Sequence, residues 1–92
     1  MKLQTTRTFD HDYAHLPTAI IEAVNASKER VDKQLALLLD NPRHPSLGLK
    51  KIVGTESLWE VRITRDYRMT LQVVDDTFIL RRLGPHDVLR RP

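Results

Sequence analysis

Between Leu58 and Leu83 the chain alternates. Trp59, Val61 and Ile63 are interleaved with Glu60, Arg62 and Thr64. Met69, Leu71 and Val73 are interleaved with Arg68, Thr70 and Gln72, and Phe78 and Leu80 with Ile79 and Arg81. A period of two marks strands with one face on a core and one in water. It predicts strands over Leu58–Thr64, Tyr67–Val74 and Thr77–Leu83. The breaks Arg65-Asp66 and Asp75-Asp76 are short enough for antiparallel hairpins, and their lack of glycine leaves room for an extra turn residue.

Upstream the period changes. Ile20, Val24, Val31, Leu35 and Leu38 recur at helical spacing, and Glu22, Glu29, Arg30, Asp32 and Lys33 fall on the other side. This predicts a long helix opened by Pro17 and closed at Asn41-Pro42. Ser27 interrupts the stripe and marks a possible bend or break near Asn25-Ala26-Ser27. Three threonines in Lys2–Thr8 favour an extended backbone, a strand at a sheet edge or beside a neighbour distant in sequence. Phe9, Tyr13 and Leu16 share one face of a brief helical turn. Residues 42–57 form a long connection pinned by Leu47, Leu49 and Ile52, a kind that often carries function. A short strand or turn inside it has no secure position. Gly84 to Pro92 reads as a turn followed by one helical turn. The order is β-α-α-β-β-β, an α+β fold in one domain over 1–92, with a mainly antiparallel sheet packed on the long helix.

Composition narrows the chemistry. A 92-residue chain buries only about 60% of its unfolded surface, so the core is small. The absence of cysteine excludes disulfides, thiolate nucleophiles and thiolate metal sites. No apolar run approaches the roughly 18 residues of a membrane span, and the first seven residues lack a signal peptide's apolar core, so a cytoplasmic location is expected. Residues 1–40 carry five Lys/Arg against six Asp/Glu, a net of −1. Residues 41–92 carry ten against six, a net of +4, and the two sum to +3. The second half therefore has the bias of a polyanion-binding surface.

That half also holds the candidate chemistry. Strict alternation places Glu60, Arg62 and Arg68 on one face, His86 follows the third strand, and Lys50 and Lys51 lie at the rim. Such a set suits cleavage of RNA. A 2′-hydroxyl loses its proton, attacks the adjacent phosphorus and expels a 5′ oxygen that needs a proton. The products are a 2′,3′-cyclic phosphate or, after hydrolysis, a 3′-phosphate. An imidazole is suited to one of these transfers, guanidiniums hold the phosphate oxygens, and no metal or cofactor is required. DNA, without a 2′-hydroxyl, is excluded as substrate. Plainer roles compete. His86 also suits a surface or capping position, His44 between two prolines a loop, and Glu60 a surface ion pair. Arg81-Arg82 suits a solvated strand pair, and Trp59 a core position or a base-stacking one. His11 and His15, four apart, have metal-ligand spacing without a convincing third ligand.

Read together, Asn41-Pro42-Arg43-His44-Pro45-Ser46-Leu47 with Lys50-Lys51, Trp59-Glu60-Val61-Arg62, Tyr67-Arg68, Asp75 and Leu80-Arg81-Arg82-Leu83-Gly84-Pro85-His86-Asp87-Val88-Leu89 form an ordered combination. The chain resembles the RelE/ParE superfamily of bacterial type II toxin–antitoxin systems, in its RelE-like branch, over nearly its whole length. The resemblance implies a curved sheet against a long helix, and a toxin that cuts mRNA in the ribosomal aminoacyl-tRNA site without a metal. It implies phosphate-stabilising roles for Arg68 and Arg62, proton transfer by His86, and Glu60 as a proton-transfer partner where some members carry lysine. Asp87 stands where some members carry a catalytic tyrosine. Lys50, Lys51, Arg43, Arg65, Arg81 and Arg82 are the implied contacts to RNA and ribosome. The implied partners are a cognate antitoxin, the ribosome and mRNA. Two alternatives stay open: a ParE-like inhibitor of DNA gyrase, and a non-catalytic homologue acting by protein binding.

Overall fold

A computed structural model describes residues 1–18 and 26–92. The elements are β1 (Lys2–Thr5), α1 (Arg7–Ala14), α2 (Lys28–Asp40), β2 (Lys50–Lys51), β3 (Leu58–Arg62), β4 (Tyr67–Val74) and β5 (Thr77–Pro85), with 3-10 turns at Pro45–Leu47 and His86–Arg90. They form an α+β structure around an open sheet ordered β1-β5-β4-β3-β2. All neighbours are antiparallel except β1, which lies parallel to β5 at the edge.

Three boundaries differ from the sequence reading, each for a local reason. The opening strand stops at Thr5 because Thr6 is a helix cap: its hydroxyl accepts from the Phe9 N–H at 3.2 Å. The described helix begins at Lys28, with Ser27 as cap accepting from the Arg30 N–H at 3.2 Å, so the interruption at Ser27 is a break rather than a bend. Pro17 lies outside a helix, and its carbonyl and that of Thr18 accept from the Lys28 and Glu29 N–H groups. The expected helical positions Ile20, Glu22, Val24 and Asn25 lie outside the described residues. The loop also contributes a strand, Lys50–Lys51, pairing with Trp59 and Glu60.

The core lies between one sheet face and the helices. Phe9 comes from α1, and Val31 and Leu38 come from α2. Val61, Ile63, Met69, Leu71, Phe78, Leu80 and Leu83 close it from the sheet side. The β4–β5 connection is the two residues Asp75-Asp76, with Asp75 at φ 53°, a conformation that aspartate tolerates better than most side chains. The β3–β4 connection is longer than Arg65-Asp66, because Ile63 and Thr64 N–H groups both turn to the Tyr67 carbonyl.

Helix α2 also reaches through the core to fix the end of β3. Gln34, 1% exposed, donates from Nε2 to the Arg62 carbonyl at 2.7 Å and the Ser46 carbonyl at 3.2 Å, and Arg30 Nε donates to the Ile63 carbonyl at 2.9 Å. Gln34→Ala leaves two partly buried carbonyls without this donor and opens a small void. It is expected to cost about 2–3 kcal/mol in urea unfolding. An unchanged midpoint would show that these bonds do not hold the strand end.

The two helices are tied by Tyr13, whose hydroxyl donates to Asp32 Oδ1 at 2.8 Å, with Lys28 Nζ 5.8 Å from the ring centroid. Burial, then the hydrogen bond to Asp32 and its charge, raise the phenol above its ordinary value of 10.0. The protonated form is thus favoured in the folded state. Its stabilisation is fully present below pH 10 and is lost as pH climbs through the raised value. Tyr13→Phe is expected to show a shallower alkaline loss of stability than the wild type; identical alkaline limbs in thermal melts would contradict this.

Candidate functional site

Side chains at directly paired positions share a face. The register therefore sorts the polar residues: Lys50, Glu60 and Thr70 lie in one row, and Arg62, Arg68 and Gly84 in the next, all on the face away from α2. Lys51 pairs with Trp59 instead and points to the other face. Of the two rim lysines read from the sequence, only Lys50 joins this surface.

Glu60 is not a solvated ion-pair partner. It is 7% exposed, with Arg68 Nε 3.7 Å and Lys50 Nζ 3.9 Å from its Oε1. Arg68 is nearly as enclosed, its side chain 13% exposed. Its Nη1 donates to the Thr64, Arg65 and Tyr67 carbonyls at 2.8, 2.9 and 3.1 Å. One guanidinium thus closes the β3–β4 turn from inside and faces a carboxylate. A buried carboxylate with cations on two sides fixes where they stand.

His86 meets the same turn from the other strand. It begins the 3-10 turn after β5, its ring is exposed, and its N–H donates to the Asp66 carbonyl at 3.0 Å. Arg68 and His86 are therefore anchored to one four-residue connection. Arg62, directly across from Arg68, is exposed. Gly48 lies beside it: a Cβ there would make ordinary contact at 3.8 Å with the Arg62 Cβ, Cζ and Nη2, so the backbone at φ +54°, not the space, favours glycine. Arg65 projects outward from the turn, 93% exposed, 3.9 Å from Asp66.

The remaining sequence candidates are engaged elsewhere. Arg82 Nε donates to Asp12 Oδ2 at 3.0 Å, and the same oxygen accepts the Leu83 N–H at 3.0 Å, so α1 covers the stretch of β5 that β1 leaves unpaired. Arg81 Nε donates to the Pro92 main-chain oxygen at 3.2 Å. These two arginines are held by partners rather than forming a solvated pair. Arg43 is exposed in a groove with His44, Leu49 and Trp59, on the Lys51 side of the sheet. His44 caps the first 3-10 turn, its Nδ1 accepting from the Ser46 N–H and hydroxyl. His15 Nδ1 donates to the His11 carbonyl at 2.8 Å with the rings 4.3 Å apart, and among the described residues no three potential ligands gather for a metal. Sequence reading missed Thr70, Asp12 and Gln34. Thr70 belongs to the polar series of its strand, and its lack of charge is why period and residue type do not single it out.

No protein-family model matches the chain, and no curated protein matches it in sequence. Solved structures do match. YafQ from E. coli strain BL21(DE3) superposes with a TM-score of 0.73 at 12% identity, covering 96% of each chain. A YoeB/ParE toxin from Agrobacterium tumefaciens gives 0.72 at 19% identity, covering 94% of this chain and 99% of that one. The RelB-RelE antitoxin-toxin complex from Methanococcus jannaschii gives 0.65 at 22% identity, covering 95% and 94%. At these TM-scores and near-complete coverage, the chain has the fold of the RelE-type toxins.

Proposed function

We propose that this protein is the toxin of a toxin–antitoxin pair and an mRNA endonuclease that acts on the ribosome. The observation that carries the reading is the shared anchorage of Arg68 and His86 on one turn, with Arg62 opposite Arg68 on the same face. A phosphodiester laid there meets guanidinium donors for its non-bridging oxygens and an exposed imidazole. The 2′-oxygen bonds to phosphorus as the bond to the 5′ oxygen breaks. One proton leaves the 2′-hydroxyl, one reaches the departing oxygen, and His86 carries one of these transfers. Arg62 and Arg68 offset the charge that gathers on the phosphorane. The sequence reading made Glu60 a proton-transfer partner; its burial against Arg68 favours a positioning role instead. Lys50 and Arg65 extend the basic face toward RNA backbone, and Lys51 and Arg43 offer a second contact on the far side.

Because RelB-RelE is an antitoxin-toxin complex, a cognate antitoxin is the expected protein partner, with the cytoplasm as the shared compartment. No helix among the described residues is long and apolar enough to cross a membrane. The test is brief expression followed by mapping of mRNA ends on translating ribosomes. Codon-positioned cuts support the nuclease. Intact mRNA with gyrase-dependent DNA breaks would mean a ParE-like inhibitor instead.

A further inference from the structure

Strand β5 carries one residue more than β4 can pair. Thr70 faces Arg82 and Leu71 faces Leu80, which leaves Arg81 extra. Bulges re-aim side chains, and this one turns Arg81 toward Thr70. The two then converge on a single atom: Thr70 Oγ1 and Arg81 Nε donate to the Pro92 main-chain oxygen at 3.3 and 3.2 Å.

The segment that delivers this oxygen folds back across the polar face. Val88 is buried, and a Cβ at Gly84 would lie 3.6 Å from it, on the side that Arg68 shares. The Arg91 N–H donates to the Val88 carbonyl at 3.2 Å and turns the chain inward. Thr70, in the middle of a polar face, is consequently 0% exposed. It is the direct cross-strand neighbour of Glu60. It also lies two residues, about 7 Å, along β4 from Arg68, within reach of the same short strand of RNA.

A guanidinium and a hydroxyl aimed at one oxygen on a basic sheet form a cradle for an oxyanion. A phosphodiester oxygen is ionised, and a guanidinium with a hydroxyl gives it charge-assisted hydrogen bonds. We infer that Thr70 and Arg81 are a phosphate subsite for the RNA strand, filled by the protein's own C-terminal segment until a phosphodiester displaces it. The assignment of RNA as the ligand rests on the function proposed above; the anion-binding geometry stands apart from it.

The experiment is a titration of the full-length, isotopically labelled chain followed by NMR. Inorganic phosphate is the first ligand, and a short 2′-O-methyl RNA that cannot be cleaved is the second. The Thr70, Arg81 and Arg91 amides are expected to shift together and saturably with both ligands. Thr70→Val is expected to weaken binding roughly ten-fold, and Thr70→Ser, which keeps the hydroxyl, to restore it. If only Lys50 and Lys51 respond while Thr70 and Arg91 stay still, or if Thr70→Val binds like the wild type, the inference is overturned. Should Thr70→Val fail to fold, the wild-type shifts and the serine variant decide. Saturable phosphate binding at Thr70 in a protein that leaves mRNA intact keeps the anion subsite and removes the nuclease. Cleavage with an unresponsive Thr70 does the reverse.

Discussion

His86→Ala is expected to lower mRNA cleavage by roughly 10²–10⁴-fold, the range for removing a positioned acid or base, with the thermal midpoint unchanged. Its ring is exposed, and what the fold takes from this residue is a backbone bond, the N–H to the Asp66 carbonyl at 3.0 Å, which alanine keeps. Exposed substitutions of this kind stay within about 0.5 kcal/mol. The loss should fall equally on kcat and kcat/KM, because the proton is exchanged in the transition state. Wild-type cleavage by this variant would remove the imidazole from the mechanism.

Arg68→Ala should damage stability and activity together. Truncation leaves the Thr64, Arg65 and Tyr67 carbonyls without their shared donor. Glu60, 7% exposed, then faces only Lys50 at 3.9 Å. Breaking a buried pair in this way costs about 3–5 kcal/mol, a large part of the roughly 5–15 kcal/mol that holds a domain together. Cleavage by the folded fraction should fall by about 10²–10³-fold, as for loss of one transition-state donor. Arg68→Lys should recover little, because one ammonium cannot bond three carbonyls and face Glu60 at once. The two effects separate in Arg68→Met with Glu60→Gln, which removes the stranded charge: stability returns toward wild type and activity does not. If that double variant regains cleavage, the guanidinium acts only as a strut. Urea unfolding and ribosome-bound cleavage assays read the two quantities.

The hairpins were legible because Val61-Ile63 and Met69-Leu71 put their side chains on one buried face, and a one-residue slip would expose them. Strict alternation failed at Arg81-Arg82. Leu80 and Leu83 are both buried although three residues apart, which period two forbids and a bulge permits. Two adjacent arginines between two buried leucines were the available signal. Thr6 and Ser27 carried cap signals that a count of threonines and an apolar stripe obscured. The two-residue strand Lys50–Lys51 was beyond reach, since it exists through its pairing with Trp59 and Glu60 and has no apolar period of its own.

The candidate site was legible as a face and not as a set of environments. Residue type and period placed Glu60, Arg62 and Arg68 together. That Glu60 is enclosed by Arg68 and Lys50 depends on the register and on a turn folded around one guanidinium, and both emerge only in three dimensions. The fold-back of the C-terminal segment was hidden for the same reason. Nothing local in Leu89-Arg90-Arg91-Pro92 shows that the Pro92 oxygen reaches Thr70.

The most direct measurement uses a synthetic mRNA bearing a single 2′-deoxynucleotide at the mapped cut, presented to the toxin on a programmed ribosome. If the sheet face works by in-line attack of the neighbouring hydroxyl, that message survives intact while the all-ribose control is cut and its upstream fragment carries a 2′,3′-cyclic or 3′-phosphate. Scission of the deoxy-substituted message at the control rate would contradict the account.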